Sequence, residues 1–340
     1  MLRSKLLIAA LAALALIIAG CQPSAPDTAG SDDGDSAQTP EDSTATSDDA
    51  SEPADSGDGE VTKLGFITKF PVDFFIVMED AVKAWDAEHD DVEVIFGTGA
   101  DAADSAGQIE LIESMVAQGV KGIAVTPAGE EVIPALQAAV DEGVKIVLVD
   151  NDLPTWDGKS ALVATDNFQG GKLAGEWLAT QLEPGSTLAI LEGVPGVPSL
   201  DDRVNGMLEG LGELDVEVVG RAPTNCAQDL GVSGAEDLLT ANPEVDAIYA
   251  ACGPPTVGAL QAIKNAGIAP DDIILVGFDA QAEEVAAIIA GEQDATVAQF
   301  PPKMGELGIE TLYQVLNGES VEAFVDTGTA LVSKDNADQF

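Results

Sequence analysis

Lys145-Ile146-Val147-Leu148-Val149-Asp150 is an unbroken apolar run entered by a lysine and ended by an aspartate. No polar residue alternates within it, so it reads as a strand buried on both faces, as parallel sheets require. Ile273-Ile274-Leu275-Val276-Gly277-Phe278-Asp279 repeats the pattern and again ends in aspartate. Parallel strands need crossover connections, usually helices, and the flanking sequence supplies them. Ahead of the first run, a strand is predicted at 63–68 and a helix at 75–88, with Phe75, Val82 and Trp85 near helical spacing. A strand at 92–96 and a helix at 109–118 closed by Gly119 follow. Next come a strand at 122–126 stopped by Pro127 and a helix at 132–142 closed by Gly143. The order then restarts with strands at 187–191, 216–219 and 247–250 and helices at 200–211, 230–240 and 257–266. The second apolar run and a helix at 283–290 closed by Gly291 complete it. Two successive alternating sets predict two doubly wound, Rossmann-like α/β lobes. Such lobes bind ligands beyond the carboxyl ends of their strands, which directs attention to Thr68, Thr126, Asp150, Glu192, Cys252 and Asp279.

The N-terminus is of another kind. Arg3 and Lys5 precede an apolar stretch from Leu6 to Ala19, which ends in Ile18-Ala19-Gly20-Cys21. A basic start, apolar middle and small-residue end make a secretory signal. The stretch is short of the roughly 20 residues a membrane span needs. With Cys21 at its end it resembles a bacterial lipoprotein signal, which implies cleavage of 1–20 and lipid attachment at Cys21. Residues 21–60 are rich in Ser, Thr, Asp, Glu, Gly, Ala and Pro. They hold too little apolar surface to offset the entropy of ordering and read as a disordered acidic tether. Their acidic residues lack the spacing of a calcium loop.

About 280 residues remain from Val61 on, enough for two lobes. Of 60 acidic residues the tether holds 12, and Arg3 and Lys5 leave with the signal, so the body keeps 48 acidic and 12 basic residues, a net of −36. That field disfavours nucleic acid and anionic membrane surface as partners, leaving the lipid anchor as the only membrane contact. It also points to a salty habitat, where screening weakens self-repulsion.

With the strand ends in hand, the chain resembles the ribose-type sugar-binding proteins of ABC transporters over most of 61–332. The likeness is carried by the Phe74-Phe75 pair, by 144–150, and by Ala164-Thr165-Asp166-Asn167 with Gly170-Gly171. Gly258-Ala259-Leu260, Val276-Gly277-Phe278-Asp279 and Ala298-Gln299-Phe300-Pro301 complete it. The resemblance implies a type I periplasmic binding protein, with two lobes joined by a three-segment hinge and closing on a sugar. The crossings fall near Thr165-Asp166, Gln299-Phe300 and Asp326-Thr327. The first lobe would then hold 61–165 and 300–326, including a helix at 304–316, and the second 166–299 and 327–340.

The resemblance also implies a ligand set. Phe74 and Phe75 match the stacking pair, which suits the apolar face of a sugar ring. Asp150 and Asn151 match a strand-end polar pair whose second member in ribose binders is arginine. Asp279 and Gln299 match acceptors. Asp201 lies where ribose binders place a second binding arginine, with Arg203 competing in another register. Cys252 lies where they place asparagine, and Thr126 near a further polar contact. Two arginines absent from their places predict a more acidic pocket and open the ligand to a basic substituent. Each residue also has a structural reading. Phe74 and Phe75 fit the first buried turn of a helix. Asp150, Asp279 and Asp201 fit helix caps, and Gln299 fits a hinge hydrogen bond.

Once Cys21 carries lipid, Cys226 and Cys252 remain. In an exported protein they are expected to pair, at the cleft face of the second lobe in the family register, which would withdraw Cys252 from hydrogen bonding to ligand. The sole histidine, His89, sits on a predicted surface helix and leaves no His-rich metal site. Gly97-Thr98-Gly99 lacks the place and third glycine of a dinucleotide loop, and 193–198 has no phosphate-loop lysine. No cofactor, metal or catalytic set is expected. The reading is a monomeric solute-binding lipoprotein outside the cell, delivering a sugar or polyol to an ABC-transporter permease. A sensory binding protein for a membrane receptor and an exported sugar-acting enzyme are the alternatives.

Overall fold

The computed structural model describes residues 61–340; the signal segment, Cys21 and the tether lie outside the described residues. The first set of elements runs β1 (Thr62–Thr68), α1 (Asp73–Asp86), β2 (Val92–Thr98), α2 (Ser105–Ala117), β3 (Gly122–Val125), α3 (Ile133–Asp141), β4 (Lys145–Val149) and β5 (Ala161–Ala164). The second runs α4 (Asn167–Gln181), β6 (Ser186–Glu192), α5 (Pro198–Gly210), β7 (Val216–Pro223), α6 (Gln228–Ala241), β8 (Ala247–Ala250), α7 (Gly253–Ala266), β9 (Ile274–Asp279), α8 (Ala282–Ala290) and β10 (Ala295–Ala298). Then follow α9 (Pro301–Leu316), β11 (Phe324–Asp326) and β12 (Ala330–Ser333).

Two six-stranded sheets result, ordered β11-β5-β4-β3-β1-β2 and β12-β10-β9-β8-β6-β7. Every neighbouring pair is parallel except β10 with β12. The apolar run at β4 explains itself here. Val147 and Val149 point into the core shared with α1 and α9, while Ile146 and Leu148 point into the core shared with α2 and α3. β9 repeats this, with Val276 and Phe278 on one face and Leu275 on the other. Each such side chain contributes about 1.5–3 kcal/mol on full burial, so both strands must be apolar throughout. Around them α1 buries Phe75, Met78, Val82 and Trp85, one stripe at helical spacing.

The chain passes between the sheets three times. After β5 it enters α4, which packs on α5 and on β10 and β12 of the second sheet. After β10 it returns through α9, which packs on α1, β3 and β4 of the first. β11 then joins β5 and β12 joins β10.

The structure adds α4, β5, β10, β11 and β12 to the elements predicted by periodicity, and α9, which the resemblance alone implied. α4 escaped because Gly170, Gly171 and Gly175 interrupt its apolar stripe. These glycines let two helices touch. A methyl group at Gly171 would meet the carbonyl of Arg203, and one at Gly206 the carbonyl of Phe168. β5 and β10 are four-residue strands, Ala-Leu-Val-Ala and Ala-Thr-Val-Ala, too short to show a period.

Candidate functional site

The carboxyl ends of both sheets open on one cleft of about 710 Å³. Lys69, Asp150 and Asn151 line it from the first sheet, Pro198 and Asp202 from the second, and Thr165 and Asn167 from the first crossing. Lys69 follows β1 and Asp150 follows β4, so topology alone brings them to this rim.

Arg203 organises the second side. Its Nη1 donates to Asp279 Oδ1 at 3.1 Å and to the carbonyl of Ala251 at 2.9 Å. Its Nε donates to Asn167 Oδ1 at 2.8 Å. The guanidinium lies 4.0 Å from the ring centre of Phe278, within cation–π range. Asp279 also accepts from Gln299 Nε2 at 2.7 Å and from the Gly253 amide at 3.0 Å. The pair is largely dry, with side chains 7% and 13% exposed. A polar chain therefore links the first crossing (Asn167) through Arg203 and Asp279 to the second (Gln299).

Two acceptors in this region stay unused. Gln299 Oε1 and Thr126 Oγ1 are buried without a hydrogen-bond partner among the described residues. Thr126 immediately precedes Pro127, a wall residue of the cleft. Burial pushes Asp150 up to about 6, against the pull of Lys69 and then Arg203, with Asp279 adding to the rise. Burial likewise draws Lys69 down, opposed by Asp150.

Asp150 and Asn151 thus line the cleft, and Asp279 and Gln299 are bonded to each other beside it. Four expected residues stand elsewhere. Phe75 is a core side chain, packed edge-on against Phe70 and Phe74 with ring centres 5.4 and 5.2 Å away. Phe74 is half-buried against the same core, and neither ring is a wall of the cleft. Asp201 is exposed on the first turn of α5 and accepts from the Gly196 amide at 3.4 Å. Two residues on a helix lie more than half a turn apart, so Arg203 faces inward and Asp201 outward. The fold thus places Arg203, the competing candidate, on the buried side of α5. Cys252 is bonded to Cys226, with Cα atoms 5.5 Å apart; its sulfur is committed, and the adjacent Gly253 amide does the hydrogen bonding instead.

At the heart of the site Lys69 and Arg203 stand near Asp150 and Asp279, while the cleft wall adds Glu130, Asp152, Asp166 and Asp202 and no basic residue besides Lys69. Lys69 was legible as the residue after the strand-ending Thr68. Arg203 was legible from α5 itself, where Leu200, Val204 and Met207 mark the inward stripe that also holds position 203. Among the described residues no group of three or more His, Cys, Asp or Glu side chains could hold a metal ion.

Comparison with known proteins follows the same lines. The D-ribose/D-allose-binding protein of Pseudomonas aeruginosa is 29% identical over 272 residues, 77% of this chain and 85% of the relative. Among solved structures, an ABC transporter periplasmic solute binding protein from Actinobacillus succinogenes with bound D-allose has a TM-score of 0.76 at 27% identity, over 82% of this chain and all of that one. One from Bacillus halodurans with bound myo-inositol also has a TM-score of 0.76 at 27% identity, over 84% of this chain and 98% of that one. The model of the periplasmic binding protein domain matches residues 64–320, from β1 through α9, and the chain belongs to that family.

Proposed function

We propose that this protein captures a sugar or polyol outside the cytoplasm by closing its two lobes on it, and delivers it to an ABC-transporter permease. The observation that carries the reading is the unused acceptor Gln299 Oε1, on the side chain that donates to Asp279, beside a cleft lined by Lys69, Asp150 and Asn151. A buried acceptor left unmet costs about 1–3 kcal/mol, and a polyhydroxylated molecule brings the O–H donors that meet it. Its own oxygens accept from Lys69, Arg203 and Asn151. The ligands of the similar proteins, D-ribose, D-allose and myo-inositol, have this chemistry. Ligand contacts from both lobes form together only when the cleft shuts, so binding favours the closed form.

A thermal-shift screen over pentoses, hexoses, inositols and linear polyols, followed by calorimetry, tests the reading. At least one is expected to bind saturably and without turnover, and Asp279→Asn to weaken it. A panel with no binder refutes it.

The same proposal places a lipid on Cys21. Wild-type protein expressed in a bacterium then sediments with membranes, and Cys21→Ser does not. Equal partitioning of the two proteins removes the anchor from the proposal.

A further inference from the structure

Glu284 lies in the first turn of α8 with no exposed surface, although helix starts normally keep such a side chain in water. One of its bonds is ordinary. Oε2 accepts from the Gln281 amide at 3.1 Å, half of a capping box. The others reach away from the helix. Oε1 accepts from Thr296 Oγ1 at 2.8 Å and from Gln293 Nε2 at 3.2 Å. Thr296 Oγ1 in turn accepts from the Ala280 amide at 3.3 Å. Room for the carboxyl comes from two glycines. A methyl group at Gly277 in β9 would meet Oε1, and one at Gly253 would come within 2.9 Å of Oε2. The acid is pressed against the strand that delivers Asp279, between the two amides flanking that carboxylate. Gly253 N–H binds Asp279 directly, and Ala280 follows it in the chain.

We propose that Glu284 is a positioning residue for the ligand site, holding Asp279 in place through Thr296, Ala280 and the Gly253 turn. The proposal rests on reading Asp279 as a ligand acceptor. Burial first, then the charge of Asp279, pushes Glu284 up to about 8, despite the opposing hydrogen bonds from Thr296, Gln281 and Gln293. At neutral pH it is the uncharged acid. Its surroundings otherwise carry no charge. α7 presents Gly253 and Thr256, β10 presents Thr296, and the turn before β10 presents Gln293. Asp294 turns to the Leu275 amide, and Glu283 is exposed. Ionising Glu284 therefore sets a second negative charge directly behind Asp279.

The test needs no ligand. Amide nitrogen–proton spectra of the full chain are recorded from pH 6.5 to 9.5. Gly253 and Ala280 are expected to titrate together with a midpoint near pH 8, and to stay still in Glu284→Gln, which keeps the shape without the charge. A silent Gly253 reduces Glu284 to a helix cap and overturns the proposal. So does a curve that persists in Glu284→Gln, which would belong to another group such as Lys69. If that variant does not fold, Thr296→Val cuts the same chain; an unchanged Ala280 curve then overturns the proposal. With D-allose as probe, wild-type affinity falls across this range by at most about tenfold per pH unit, the one-proton limit, and Glu284→Gln holds level. D-allose that does not bind at all bears on the sugar reading, while the ligand-free curves decide this one.

Discussion

Asp150 and Asp279 end the corresponding strands β4 and β9 of two sheets built in the same order, and both leave the sheet with positive φ, 67° and 95°. Non-glycine residues rarely hold such angles, and where they do the strain tends to mark a functional site. The two carboxylates then part ways. Arg203, Gln299 and the Gly253 amide donate to Asp279. Asp150 is half-buried at the cleft wall, with its charged neighbours at longer range, and desolvation dominates its titration. Equivalent positions thus give one pinned acceptor and one poised near the proton concentration of mildly acidic water.

Asp150 makes binding and stability respond to pH in opposite senses. Its native value of about 6 lies above the roughly 4 of an unfolded aspartate. The native state holds the proton more tightly, so Asp150 subtracts stability as pH rises from about 4 to about 6, and the loss stays constant above that. Asp150→Asn is expected to melt higher than wild type at pH 7.5, with the difference gone below about pH 4. Wild-type ligand affinity is expected to fall below pH 6, where the acceptor is protonated, and that acid limb to vanish in the variant. Equal melting temperatures at pH 7.5 would show that Asp150 carries no burial cost.

Arg203 is the most exposed to substitution in the energetic sense, because three partners depend on it. Arg203→Met leaves the Asp279 carboxylate without its cation and strands Asn167 Oδ1. Removing one member of a largely buried pair costs about 3–5 kcal/mol, to be read from urea unfolding. Arg203→Lys should recover little, since an ammonium cannot reach Asp279, Ala251 and Asn167 together or stack on Phe278. A loss below about 1 kcal/mol for Met would mean that water replaces the guanidinium at Asp279.

How far the sequence could be read follows from what each residue has to do. β4 and β9 must be apolar on both faces, and runs of Val, Ile and Leu announce that without any knowledge of their neighbours. The strand ends follow by topology, so Asp150 and Asp279 were visible too. α4 was not, because its glycines answer to the backbone of α5, a distant segment. Asp201 and Arg203 sit two residues apart, and the helical stripe of α5, not the family register, tells which of them turns inward. Phe74 and Phe75 looked like a stacking pair because an aromatic residue suits a sugar and a core equally well. Only the packing of Phe70 and Phe75 separates the two uses.

The Cys226–Cys252 bridge closes a loop with a sequence separation of 26. In the chain-entropy account such a loop contributes about 3.5 kcal/mol. Its position adds a second consequence, because Cys252 directly precedes Gly253, whose amide binds Asp279. The double variant Cys226→Ser, Cys252→Ser should lose stability by that amount in chemical denaturation and should also bind ligand more weakly. Full affinity with lost stability would confine the bridge to a structural role.

Helix contact and ligand binding meet at Gly171. α4 and α5 approach so closely that their carbonyls occupy the space of absent side chains. A methyl group at Gly171 would strike the backbone of Arg203 itself, and one at Gly175 that of Met207. Gly171→Ala must therefore push α5 outward, at about 1–3 kcal/mol for overpacking. The displaced segment carries the guanidinium that holds Asp279 and Asn167, so affinity should fall along with stability. Gly185→Ala serves as the contrast. Gly185 holds φ of 92° in open space between α4 and β6, away from the cleft. Alanine there strains the backbone but moves no residue of the site. Calorimetry on both variants separates the two effects. If Gly171→Ala and Gly185→Ala lose stability alike and both bind normally, the α4–α5 contact does not set the position of Arg203.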